Sequence, residues 1–199
     1  MADGASPLFW RIKRLWDIGL SIILLPVLLV VSGVVALANL RYNPGPLFYT
    51  QLRIGQGSVP FAIYKLRTMT GDASSPRFAT EEGQRITPFG QFLRGKRIDE
   101  LPQIINILKG EMSFIGPRPE QPAFAKQYSE RIENYDLRHS VRPGLSGLAQ
   151  VELGYTASDI SAARKLKYDL SYIRNSGFWM EAYIVRRTIV TIITEFGAV

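Results

Sequence analysis

The chain has no cysteine, a single histidine and, between Ile18 and Leu40, no charged residue. The first absence excludes a disulfide framework and thiolate metal sites. With His139 alone, a His-rich metal centre or a conventional nucleophile–histidine triad has no basis. A Walker-type phosphate loop, a GxGxxG fingerprint and internal repeats are also missing. Acids are scarce relative to bases, 17 Asp and Glu against 24 Lys and Arg, which leaves a formal charge of +7. Such a surplus implies an anionic partner: nucleic acid, an anionic membrane surface or phosphorylated small molecules. At 199 residues the chain fits one ordinary domain, or a smaller domain plus a membrane element.

The uncharged stretch favours the second option, because it exceeds the roughly 20 residues that cross a bilayer as a helix. Pro26 falls inside it, where it removes a backbone hydrogen bond and crowds the preceding turn. Basic residues flank both sides, Arg11, Lys13 and Arg14 before and Arg41 and Arg53 after. Positive flanks stay on the cytoplasmic side, so residues 1–43 read as a re-entrant membrane helix that is broken at Pro26 and returns to the face it entered. Ser21 or Asn39 would cover the broken backbone, and Trp10 and Trp16 would sit at headgroup depth. A plain spanning anchor and a cleaved signal peptide ending near Ala36-Leu37-Ala38 are the competing readings. The stretch is too long for a usual signal core of about 7–15 residues.

Residues 44–199 read as the catalytic domain, with membrane-interfacial helices. After the stiff turn Asn43-Pro44-Gly45-Pro46, residues 47–54 and 60–68 alternate as two strands of a hairpin. In the second strand Lys65 and Arg67 share a face, about 7 Å apart. Residues 70–86 form a loop long enough to cover a site. Thr87-Pro88 starts a short helix to about Arg94. A second helix starts near Asp99 and stops at Lys109-Gly110, burying Leu101, Ile104, Ile105 and Leu108. Its free N–H groups would favour anions and help keep Asp99 ionised and nucleophilic. The plain alternative is that Asp99 is an N-cap and Glu100 a first-turn acid.

Two corners, Gly116-Pro117-Arg118-Pro119 and Arg142-Pro143-Gly144, place an arginine before proline. Such an arginine is held in extended geometry and so partly preorganised for bidentate contact with phosphate. Residues 162–174 and 178–196 read as helices. In the latter, Phe178, Ala182, Val185, Ile189, Ile192 and Phe196 form a stripe that is most simply core, with a membrane surface as its second use. The fold class is α/β, mostly α: a membrane helix, a small hairpin and several short helices.

Taken together these residues resemble, over nearly all the chain, the bacterial sugar transferases, monotopic polyprenyl-phosphate phosphoglycosyl transferases reduced to their catalytic core. The resemblance rests on Tyr64-Lys65-Leu66-Arg67-Thr68-Met69, the run from Arg85 to Arg94, Asp99-Glu100-Leu101-Pro102-Gln103, Lys109-Gly110-Glu111-Met112-Ser113, the Gly116–Pro119 corner and the run from Arg142 to Val151. Where the family commonly carries Ser-Pro at the helix break, this chain has Leu25-Pro26.

The resemblance implies transfer of a sugar 1-phosphate from a UDP-sugar to polyprenyl phosphate, on the cytoplasmic face of the bacterial inner membrane. Asp99 would be the nucleophile and pass through a covalent phosphosugar. Asp99 and Glu100 would hold Mg²⁺, and Lys65, Arg67, Arg94, Arg118, Arg142 and Gln150 would bind substrate. Membrane lipids are then partners, nucleic acid is not, and homo-oligomerisation stays open. Gly116 to Glu120, Tyr135, Arg138-His139 and Gly154-Tyr155 look like members feeding exopolysaccharide or O-antigen synthesis, which points to UDP-glucose or UDP-galactose. An N-acetylated amino-sugar donor and a non-catalytic membrane-tethered anion-binding scaffold are the alternatives.

Overall fold

The computed structural model describes residues 5–69, 86–153 and 159–194, with the side chains of 159–161 left aside. It is mostly helical, with one hairpin and one short parallel strand pair. Helix α1 (Pro7–Tyr42) begins at Ser6, whose hydroxyl accepts from the Phe9 amide, and Pro7 takes a first-turn position where no N–H is needed. Pro26 lies inside α1 rather than at its end. What it interrupts is hydrogen bonding, since it offers no N–H to the carbonyl of Ile22. Ser21 and Asn39 are buried, but among the described residues their side-chain polar atoms have no partner, the freed carbonyl included.

Both arms of α1 rest on the same folded body. On the first arm, Phe9 meets Phe178 edge-on with ring centroids 5.3 Å apart, Lys13 pairs with Glu181, and Asp17 accepts from Ser113 Oγ and the Phe114 amide. On the second, Val35 packs with Leu66 and Leu93, Tyr42 lies against Phe89, and Asn43 Nδ2 donates to the Arg67 carbonyl. Between the arms Leu20, Ile22, Ile23, Val27, Leu29 and Val30 are exposed. Lys13 and Arg14, a basic flank by sequence, are used inside the protein. Arg14 donates to the carbonyls of Ile107 and Leu108 and so satisfies the end of another helix.

Strands β1 (Phe48–Ile54) and β2 (Pro60–Leu66) pair antiparallel, in register from Phe48 with Leu66 to Ile54 with Pro60. Helix α2 (Pro88–Gly95) is capped by Thr87, whose hydroxyl accepts from the Gly90 amide at 2.9 Å. Gly90 has to be glycine, because a Cβ there would strike the Thr68 carbonyl. Helix α3 (Gln103–Lys109) ends at Gly110 in the left-handed region, φ 86°, as the sequence indicates. Its buried side differs from the expected one: Gln103, Ile104, Asn106 and Ile107 are buried while Ile105 is exposed. Asn106 explains the rotation, for its amide donates to the Ala62 carbonyl and accepts from the Tyr64 N–H, riveting α3 to β2.

The two Arg-Pro corners are joined by parallel pairing of β3 (Ser113–Ile115) with β4 (Gly144–Ser146). Gly116, Gly144 and Gly147 let the two backbones approach that closely. Helices α4 (Pro122–Arg131), α5 (Leu148–Leu153), α6 (Asp159–Arg174) and α7 (Phe178–Thr194) complete the body. Ile115, Val141, Leu148, Val151, Tyr172, Ile173 and Ile184 form one core cluster. Helix α7 corrects the expected stripe. It buries Ile184 and Thr191, whereas Phe178, Trp179, Val185 and Ile189 face outward, because the core contacts lie on the opposite side of the helix. Phe196 lies outside the described residues.

Candidate active site

The acid pair is set by a local reversal. Arg97 adopts left-handed geometry (φ 55°, ψ 23°), which turns the chain out of α2 into a single 3₁₀ turn, Ile98–Glu100. Ile98 packs with the cluster of Val35, Leu66 and Leu93, anchoring the turn where α1, β2 and α2 meet. The helix expected from near Asp99 to Lys109 is divided: the acids lie in the 3₁₀ turn, and α3 starts at Gln103 with Pro102 at the N-cap position, so Asp99 does not cap α3. Its charge is governed by burial and by neighbouring side chains.

Asp99 and Glu100 are both buried, each 6% exposed, yet they are bonded very differently. Glu100 Oε1 accepts from Lys65 Nζ at 2.9 Å and from Arg118 Nη2 at 2.7 Å, and Arg97 Nη1 stands 3.9 Å from Oε2. The nearest cation to Asp99 Oδ2 is Lys65 Nζ at 3.8 Å, beyond hydrogen-bond reach, and among the described residues no donor bonds this carboxylate. Burial is the largest influence on both acids. At Glu100 it is outweighed by Arg118 and Lys65, which hold the carboxyl far below the usual range. At Asp99 burial wins and Glu100 adds to it, against Lys65, Arg94 and Arg118, so the carboxyl is pushed up. The result is a basic, underbonded oxygen in a cationic surround, the arrangement a carboxylate nucleophile toward phosphorus requires.

Of the residues expected to bind phosphate, Lys65 and Arg118 sit on the acid pair itself. Arg94 donates to Thr68 Oγ1 at 2.9 Å and lies within the field of Asp99. Arg67 does not join them. Strand β2 ends at Leu66, and the Arg67 guanidinium donates to the carbonyls of Asn43, Pro44, Pro46 and Met69, fastening the turn after α1. The structure therefore places Arg67 in the turn after α1 and not on the acid pair. Arg142 Nε donates to the Gly110 carbonyl, at the end of α3 away from the acids, and Gln150 Nε2 donates to the Leu145 carbonyl, with its Oε1 buried and without a partner among the described residues. The expected covering loop up to residue 85, Arg85 itself and Gly154-Tyr155 lie outside the described residues.

Several groups take places at the site that the sequence does not indicate. Arg53, a membrane flank by its position, reaches Pro119 O at 3.2 Å, and Arg97 faces Glu100. Arg138 and Asp169 form a buried ion pair behind Arg118. A left-handed arginine and a contact spanning 31 residues leave no local sequence signal.

A family model described as bacterial sugar transferase matches residues 8–195. The chain is 43% identical over 195 residues to the UDP-N-acetylgalactosamine-undecaprenyl-phosphate N-acetylgalactosaminephosphotransferase of Aeromonas hydrophila, covering 97% of this chain and 46% of that one. It is 38% identical over 190 residues to the UDP-glucose:undecaprenyl-phosphate glucose-1-phosphate transferase of Caulobacter vibrioides, covering 94% of this chain and 71% of that one. With the uncharacterized sugar transferase EpsL of Bacillus subtilis it shares 34% identity, covering 94% and 89%. The chain thus spans less than half the length of the Aeromonas relative and most of the other two.

Proposed function

The chain belongs to the bacterial sugar transferase family, and from that premise we propose that it moves a sugar 1-phosphate from a UDP-sugar to a polyprenyl phosphate in two steps through Asp99. The observation that carries this reading is the bonding contrast in the acid pair: Glu100 Oε1 accepts from both Lys65 and Arg118, while Asp99 is buried beside them with no hydrogen bond among the described residues. In the first step an Asp99 carboxylate oxygen bonds to the phosphorus nearest the sugar, and the bond from that phosphorus to the UMP oxygen breaks. In the second, an oxygen of the lipid phosphate bonds to the same phosphorus and the aspartyl oxygen leaves, giving polyprenyl-diphosphate sugar. Splitting the transfer lets a water-soluble donor and a membrane-bound acceptor use one site in turn. Lys65, Arg94 and Arg118 supply positive charge where the phosphate oxygens would lie.

The donor set fits Mg²⁺ in the way that ion is usually held, by one or two carboxylates with substrate phosphates. Asp99 and Glu100 Oε2 would hold it, since Glu100 Oε1 is already engaged, and no third acid, His or Cys joins them among the described residues. When bound, it offsets repulsion between the carboxylate and the diphosphate and stabilises charge on departing UMP.

Helix α1 is long and apolar enough to cross a membrane. The docking of both its arms on one body supports the re-entrant reading, with catalysis on the cytoplasmic face of the bacterial inner membrane. Ile98 links the acid turn to the second arm, which keeps the site close to lipid. The donor proposed is a UDP-hexose, glucose or galactose; the 43% identity to a relative named for N-acetylgalactosamine makes the N-acetylated sugar the second reading.

The test uses Asp99→Asn with radiolabelled donor, in detergent, with undecaprenyl phosphate as acceptor. Loss of UMP release and of protein-bound label supports the two-step reading. Normal turnover or retained label overturns it. A panel of UDP-sugars assayed for UMP release assigns the donor, and salt-sensitive anion binding without UMP release would instead mark a scaffold.

A further inference from the structure

Arg118 acts on the acid pair through its side chain, and its main chain is held by a second charged cluster that the proposed reaction does not touch. Four successive carbonyls are each taken by a different donor: Pro117 by the Gly144 amide at 2.9 Å, Arg118 by Arg138 Nη2 at 2.8 Å, Pro119 by Arg53 Nη1 at 3.2 Å and Glu120 by the Ile54 amide at 2.9 Å. Pro119 restricts Arg118 to extended geometry, and these bonds fix which way the segment faces. The Arg118 bond depends on Arg138 being held in turn. Arg138 Nε and Nη2 lie 3.0 and 2.8 Å from Asp169 Oδ2, and Nη1 donates to the Tyr135 hydroxyl at 2.7 Å. Arg138 and Asp169 are 4% and 1% exposed, out of reach of substrate.

We infer that Asp169 and Arg138 are positioning residues for the Arg118 guanidinium, holding it on Glu100 so that it meets the transferring phosphate in fixed geometry. The inference rests on the transfer reading above. Displacement of a catalytic cation by about 1 Å costs on the order of 10²-fold in rate, so the effect of losing the anchor should pass through Arg118.

The experiment is a double-mutant cycle in the full chain, with Asp169→Asn and Arg118→Lys alone and together. UMP release is read with whichever donor the wild type turns over, and thermal melting is read in parallel. Asp169→Asn is expected to lower kcat/KM by roughly 30- to 100-fold, but by less than about 3-fold once Arg118 is lysine. An equal loss in both backgrounds would assign Asp169 to general stability and overturn the inference, as would no loss at all. If Asp169→Asn does not fold, Tyr135→Phe, which removes one of the Arg138 partners, runs through the same cycle: a loss that shrinks in the lysine background supports the inference, and an equal or absent loss overturns it. An additive cycle in a protein whose Asp99→Asn variant is dead removes this inference alone; an active Asp99→Asn removes the transfer reading itself.

Discussion

Two buried carboxylates, Asp99 and Asp169, occupy opposite situations. Asp169 Oδ2 accepts from Arg138 Nε at 3.0 Å with Nη2 of the same guanidinium 2.8 Å away, whereas Asp99 has a lysine at 3.8 Å and no hydrogen bond among the described residues. Burial raises the pKa of both, that of Asp169 to about 6. Burial outweighs the pull of Arg138 at Asp169, while at Arg138 burial is outweighed by Asp169 and the guanidinium is raised. Contact geometry decides for an ionised pair, a charge-assisted hydrogen bond from Nε at 3.0 Å with Nη2 2.8 Å from the same oxygen. Burial alone therefore does not mark a reactive acid. The distinguishing mark is a carboxylate that the fold desolvates without bonding it, next to one whose oxygen it bonds twice.

Asn substitution at each position should break the comparison most sharply. Asp99→Asn is expected to cost about 10⁴-fold or more in turnover, roughly 5.5 kcal/mol of barrier, and to raise stability by about 1 kcal/mol by removing a buried charge without a hydrogen bond and its repulsion from Glu100. The sign follows from the raised pKa: above its ordinary value an ionised Asp99 weakens the fold, and neutral Asn does not. Asp169→Asn should do the reverse to the fold. Stranding a buried guanidinium costs on the order of 3–5 kcal/mol, read by denaturant melts in detergent. Equal and same-signed stability changes would erase the distinction between the two acids.

Much of this architecture is legible because it is written in local chemistry. Thr87-Pro88 starts α2, Gly110 ends α3, and period-2 alternation gives the hairpin. The acid pair is legible as a residue choice, and its reason is not. Local pattern suggests a helix end acting on Asp99, but left-handed Arg97 turns the chain into a separate 3₁₀ turn, Leu101 and Pro102 lie between that turn and α3, and burial with Lys65, Glu100, Arg94 and Arg118 acts instead. Arg67 misleads for a related reason. Strand alternation predicts a shared face with Lys65, yet the strand ends one residue earlier and carbonyls near the end of α1 claim the guanidinium. The outward turn of α7 and the Arg138–Asp169 pair depend on contacts between distant segments, which periodicity does not encode.

The saturated cluster makes a pH prediction through its neighbour. His139 is held down to about 4, first by burial and then by Arg138, against the pull of Asp136 and Glu120. Below pH 6.5 the unfolded chain takes a proton that the folded one refuses, so stability falls as pH drops from 6.5 towards 4. Over that window the loss approaches about 3 kcal/mol. Relative to His139→Gln, wild type should weaken progressively through this range, with titration of Asp169 common to both. A constant difference in melting temperature between about pH 7 and about pH 4.5 would show that the cluster accepts the extra charge.

Arg67 gives the smallest effect and the clearest separation of scaffold from site. Arg67→Lys keeps the charge but cannot reach four carbonyls with one ammonium. A stability loss of about 1–2 kcal/mol is expected, with donor KM changed less than about 2-fold. Gly45→Ala should resemble it, since a Cβ there would lie 2.7 Å from Arg67 Nη2 and the residue sits at φ +129°. Were Arg67 a phosphate ligand, Arg67→Lys would raise KM while Gly45→Ala left it alone. Parallel losses of melting temperature with unchanged KM in both variants place Arg67 with the anchoring charges rather than with Lys65 and Arg118.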